Sequence, residues 1–192
     1  GGNNLEELSD PQWTPDGLFG GALEFHQYQV DYLKAPYKGP DLTQSAITVE
    51  FWLNTTDATH SYLVRTNLIS FYLALNNSGQ IEWGVGDKMN WGPSFSPQPT
   101  TPLNDGQWHY LAATFDGTTR AVYVDGELIG SQGNEAGSIF VSTPTTVWFG
   151  GHPANTQLEG RMDEIRISNI ARTAEEIQAT YQEAISYATA GD

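Results

Sequence analysis

An antiparallel β-sandwich closed by one C-terminal helix is the fold class that this 192-residue sequence predicts, and three observations predict it. Roughly a dozen short stretches alternate apolar with polar residues at the period of a strand. Turn residues separate them at short intervals. One helical pattern occurs, at the C-terminal end, without the strand–helix alternation that a parallel sheet needs.

The helix and the strand before it sit in GRMDEIRISNIARTAEEIQATY, residues 160–181. Thr173 with Glu176 forms a capping-box pattern, Glu175 and Glu176 suit the positive end of the helix dipole, and Ile177, Tyr181 and Ile185 make one narrow apolar stripe. That stripe predicts a lone surface helix over about 173–187, packed on a β-body. In the strand, a period of two puts Asp163 on the face of Ile165 and Ile167. A carboxylate aimed at an apolar layer costs several kcal/mol unless compensated. Asp163 therefore sits at a rim, hydrogen-bonds turn amides, or holds a cation.

Taken in order, residues 1–19 read as an irregular lead-in with Trp13 and Phe19 tucked against the body. GGALEFHQY and DYLKAPY give the first strands, the second ended by Pro36 and Pro40, and ITVEFWLNT alternates Ile47, Val49, Phe51 and Leu53 against Thr48, Glu50 and Trp52. YLVRT, ISFYLALN and QIEWGVG follow, with the cluster Asn76 to Gly79 as a hairpin turn. From Asn90 to Leu103 four prolines exclude a central strand and predict a long ordered loop carrying Trp91 and Phe95. QWHYLAATF, a hairpin cornered at Asp125-Gly126, and TTVWFGGH complete the series. The whole chain, 1–192, reads as one domain, which at this size can build a core without disulfides.

Composition excludes several functions. The net charge is -15, with 8 Lys+Arg against 23 Asp+Glu, so a nucleic-acid backbone or an anionic membrane surface is repelled. There is no cysteine, hence no disulfide and no thiolate metal site. No apolar run is long enough to insert into a bilayer and the start lacks the features of a signal peptide, which leads us to expect an excised mature domain. The histidines His26, His60, His109 and His152 lack zinc-like spacing, His109 reading as structural, and neither a Gly-x-Ser-x-Gly elbow nor a phosphate loop occurs.

The pieces VEFWL, GQWHYLAATFDGTTRAVYVDGELIG, VWFGG and GRMDEIRISNIARTAEEI resemble, in order and over about residues 16–182, the laminin-G-like jelly rolls of the concanavalin A-like lectin/glucanase superfamily. The resemblance implies an antiparallel two-sheet jelly-roll sandwich and, as in many members, a structural calcium ion. Its side-chain ligand maps to Asp163, with the carbonyl of His26 and the carboxylate of Asp16 as further candidates. Calcium takes six to eight oxygens. The glucanases of the superfamily use Glu-x-Asp-x-x-Glu, and no Glu here is followed by Asp two residues on, so the expectation is that the domain is not an enzyme.

Sugar rings stack their C–H faces on aromatic side chains while fixed polar groups hold the hydroxyls. Trp83 and Trp91, with Asn90, Tyr62, Arg65 and Tyr72 near them in sequence, supply that combination, whereas Trp52 and Trp108 read as packing and Trp148 is undecided. The function expected is a non-catalytic extracellular or cell-surface recognition module that binds a polysaccharide or glycan and belongs to a larger enzyme or surface protein. The alternative is a structural or adhesive spacer meeting protein or nothing; a lyase would need His, Tyr and Arg clustered in a cleft.

Overall fold

The structure is a computed structural model that describes residues 6–7, 11–29, 31–37, 46–66, 71–86, 95–97, 99, 102–133, 145–152 and 157–190. Two antiparallel sheets pack face to face. One has six strands in the order β1 (Glu6–Glu7), β4 (Leu33–Tyr37), β12 (Thr145–Phe149), β6 (Ser61–Thr66), β7 (Phe71–Leu75) and β8 (Ile81–Val85). The other has seven, ordered β11 (Glu127–Gln132), β10 (Arg120–Val124), β9 (Trp108–Phe115), β5 (Ile47–Thr55), β13 (Gly160–Ser168), β3 (Gly20–Phe25) and β2 (Gln12–Gly17). The fold is the jelly-roll sandwich with one C-terminal helix, α1 (Ala174–Ala190). No helix among the described residues is long and apolar enough to cross a membrane.

The alternation of β5 works as read: Ile47, Val49, Phe51 and Leu53 enter the inter-sheet core, and Trp52 joins a second cluster on the opposite face. There α1 lies on the seven-stranded sheet. Ile177 is fully buried, which at roughly 1.5–3 kcal/mol per large apolar side chain outweighs any propensity term. Tyr181 stacks on Trp52 with ring centroids 5.7 Å apart. The capping box closes as expected, Thr173 N donating to Glu176 Oε2 at 2.8 Å and Glu176 N to Thr173 Oγ1 at 3.3 Å. At the Asp125-Gly126 corner both residues have positive φ, as a type I′ turn requires.

Three expectations are corrected. The lead-in contains β2, which pairs with β3; Phe19 does pack on Trp52, centroids 5.9 Å apart, but Trp13 lies on an edge strand and stays 69% exposed. Pro36 does not end its strand, which runs to Tyr37; β1 reaches only Leu33 and Lys34, so the missing N–H of Pro36 interrupts no pairing with it. Asp163 does not share a face with the isoleucines. It pairs with Trp52 while Arg166 pairs with Glu50, three steps along β13 against two along β5, and this bulge, with Glu164 in the left-handed region, reverses the phase. Ile165 and Ile167 pack on the inter-sheet core; Asp163 faces the way Trp52 does.

Candidate functional site

The outer face of the six-stranded sheet gathers aromatic and charged side chains in two cross-strand rows. Val147 and Phe149 point into the core, so Trp148 between them points out. Its neighbours across the ladder are Lys34 on β4 and Arg65 on β6, and the row continues through Tyr72 to Gly84. The next row holds Tyr62, Ala74 and Glu82. Tyr62 and Arg65 stand three residues apart and would face opposite ways on a regular strand. A register shift between Tyr62 and Val64 brings both to this face.

The contacts organise the face. The Arg65 guanidinium carbon lies 4.9 Å from the centroid of the Tyr62 ring, a cation–π arrangement. Tyr62 meets Tyr72 edge-on at 5.7 Å and His60 edge-on at 5.2 Å. His60 Nε2 stands 3.6 Å from Glu82 Oε2, and Trp148 meets His152 edge-on at 4.8 Å. Gly84 is required here for space: a Cβ on it would collide with the Tyr72 ring. Tyr72 is largely buried, while Tyr62, Arg65, Lys34 and Trp148 are half-buried.

Of the sequence-derived ligand residues, Tyr62, Arg65 and Tyr72 therefore come together, and Trp148 joins them. Trp83 does not. It faces the core beside Ile81, is 0% exposed, and its Nε1 donates to the Thr114 carbonyl at 3.1 Å, bridging the two sheets. Trp91 and Asn90 lie outside the described residues. The proline-rich stretch is anchored where Phe95 and Trp83 exchange both backbone hydrogen bonds. Trp148, Lys34, His60 and His152 are the residues that sequence reasoning missed, although the run Val147-Trp148-Phe149 carries the outward signal.

Each of the candidate calcium residues is engaged by other protein groups. Asp163 is 7% exposed; its Oδ2 accepts the N–H of Phe19 at 3.2 Å and its Oδ1 that of Glu164 at 2.8 Å. Asp16 is exposed, with Arg161 Nη2 3.9 Å away, and Arg161 Nε also holds Glu24 at 2.9 Å. A cation there would meet a guanidinium. His26 is bound through its backbone N–H and Nδ1 to Asp31, at 3.0 and 3.2 Å. No group of three or more His, Asp or Glu placed to hold an ion occurs among the described residues, and the Asp163 carboxylate serves turn amides.

A buried charge cluster lies on the opposite sheet. Glu50, 1% exposed, accepts hydrogen bonds from Tyr110 Oη (2.8 Å), Arg166 Nη1 (3.0 Å) and Arg172 Nη1 (2.6 Å). Burial first, then the Glu50 charge, pushes the Tyr110 hydroxyl well above its ordinary pKa. A cavity of about 320 Å³ opens beside it, between α1 and the sheet, with Phe19, Trp52, Glu164 and Tyr187 among its walls. Both Glu50 oxygens are engaged, so it is a structural ion pair tying β5 to the α1 approach.

A laminin G family profile, described as the concanavalin A-like lectin/glucanases superfamily, matches residues 28–178. The chain belongs to this superfamily. Human (Homo sapiens) pappalysin-1 is 28% identical to this laminin G-like domain over 162 residues, 71% of the chain and 10% of the relative. Mouse (Mus musculus) pappalysin-1 is 32% identical over 77 residues, 38% of the chain and 5% of the relative. The domain thus spans a tenth or less of the length of these curated relatives. Among solved structures, the binding domain of Paraclostridial Mosquitocidal Protein 1 superposes with a TM-score of 0.75 at 17% identity, covering 94% of this chain and 47% of that one. The native heptameric SAP-like pentraxin from Limulus polyphemus gives 0.58 at 16%, covering 71% and 70%. These likenesses concern the fold, which is common to the laminin G-like domain and both structures.

Proposed function

We propose that this laminin G-like domain is a non-catalytic recognition module that binds carbohydrate on the outer face of its six-stranded sheet. The observation that carries the reading is the row Trp148–Arg65–Tyr72, with Tyr62 beside it, in which aromatic rings alternate with hydrogen-bonding groups along one surface. Specificity in such sites comes from a few fixed polar groups among apolar walls. Arg65, held over Tyr62, is one of them. Glycoside hydrolysis needs two carboxylates flanking the bond, and Glu82 is the single carboxylate among the described side chains of these two rows. Membership of a lectin-containing superfamily supports the reading, as does similarity in fold to solved binding and receptor-binding domains. The same kinship supports an extracellular or cell-surface location within a larger protein.

A glycan array probed with the wild-type chain and with Trp148→Ala and Tyr62→Ala tests this. Binding to at least one glycan class, lost in both variants while their melting curves stay near wild type, is the expected result. Binding that survives both substitutions moves the site elsewhere, and an array without any signal favours the spacer reading.

A further inference from the structure

The charge around Trp148 is not distributed like that of the rest of the chain. Of the 8 Lys+Arg, Arg161, Arg166 and Arg172 are on the seven-stranded side and hold Glu24 or Glu50. Arg120 is 0% exposed, its Nη1 donating to the Trp83 carbonyl. Lys38 and Lys88 lie outside the described residues. The remaining two, Lys34 and Arg65, are the cross-strand neighbours of Trp148, one on each side. With strands about 4.8 Å apart, the backbone positions of the two residues stand about 10 Å from each other, with that of Trp148 between them. Two acids lie near in register, one of them directly across the ladder from Lys34. Glu6 occupies the position beyond Lys34, and Glu82 is in the neighbouring row, facing His60.

We propose that the Trp148 face selects an acidic saccharide, whose ring stacks on Trp148 while carboxylate or sulfate groups on either side reach Lys34 and Arg65. The proposal rests on the carbohydrate reading above and adds the ligand class to it. Two physical points decide between a neutral and an acidic ligand. A net charge of -15 repels anions at long range, yet at physiological ionic strength that repulsion is screened over about 8 Å. Cations one strand away from the stacked ring act inside that distance. The Arg65 guanidinium is also held by the Tyr62 ring, so its planar fork is ordered before an oxyanion arrives. Lys34, a compact charge on a flexible stem, accommodates acidic groups at varied positions.

Titration calorimetry with the full chain tests the assignment, using trigalacturonate, galactotriose as its neutral counterpart, and a sulfated galactotriose. The expected result is that at least one acidic trisaccharide binds tenfold or more tighter than the neutral one, with affinity falling as salt is raised. Lys34→Gln should shrink the acidic-over-neutral ratio several-fold, and Trp148→Phe, which keeps an aromatic ring and the fold, should weaken all binding. Which of the two acidic probes binds separates uronate from sulfate recognition. Neutral and acidic probes binding equally, with Trp148→Phe weakening both, would overturn the acidic preference and leave the carbohydrate reading standing. An acidic preference untouched by Lys34→Gln would also overturn it. If no saccharide binds, both readings fall together.

Discussion

His109 holds Asp125 through Nδ1 and Oδ2 at 2.8 Å, while its Nε2 reaches Asp105 Oδ1 at 3.2 Å. The second oxygen of Asp125 accepts the N–H of Tyr110 at 2.8 Å. One imidazolium thereby ties the turn before β9 to the hairpin corner on which Tyr181 rests. The hydrogen bond to Asp125 is the main cause that raises the His109 pKa above its ordinary value near 6.5, burial opposing it in part. A raised folded-state pKa stabilises fully below the unfolded value, and that contribution is lost as pH rises through the folded value. We expect the denaturation midpoint to fall over that window, and His109→Gln to flatten the fall. Equal slopes in wild type and variant would refute the clamp.

Trp83 and Trp148 should behave oppositely. Trp83→Ala removes a fully buried indole and its bond to Thr114, so a loss of roughly 3–5 kcal/mol in chemical denaturation is expected. Trp148→Ala removes a half-buried outer ring and should cost about 1 kcal/mol or less. Similar losses in both would show that Trp148 is packing.

The helix gives a graded series. Ile177→Ala should destabilise by about 2–4 kcal/mol through the cavity left over Trp52 and Tyr110. Thr173→Ala should cost about 1 kcal/mol through the lost cap. Gly126→Ala should also destabilise, since φ there is positive and the added Cβ would stand 3.0 Å from Tyr181 Cδ1. Urea midpoints ordered otherwise would contradict this account of how α1 is held.

Asp163→Ala leaves the N–H groups of Phe19 and Glu164 without their acceptor, for an expected loss of about 1–3 kcal/mol. Because the carboxylate already serves those amides, we expect melting to be the same in chelator and in calcium. A rise of about 2.7 kcal/mol at a calcium level near 100 Kd would instead restore an ion at this position.

The sandwich, the helix and its cap are legible because each is written locally, in period-two runs, turn residues and the Thr173–Glu176 spacing. What fails are inferences that carry a strand's phase across a bulge. Nothing in MDEIRI announces that Glu164 adopts a positive φ, so simple alternation puts Asp163 on the wrong face. The shift between Tyr62 and Val64 is equally silent in sequence. Trp83 fails for a different reason: alternation with Ile81 and Val85 places it inward, and proximity to the proline-rich loop is the weaker guide. Glu50 alternates correctly, yet its partners Arg166 and Arg172 lie 116 and 122 residues away, beyond any local pattern.

Gly84 lies under the Tyr72 ring with no room for a Cβ. The relief of the aromatic face is therefore set from beneath, by a residue that offers a ligand no side chain. Replacing this glycine would tilt Tyr72 and, through their edge contact, Tyr62, changing the outline of the surface while every chemical group on it is retained. For anyone evolving new preferences on this scaffold, position 84 is a lever that remodels shape separately from chemistry.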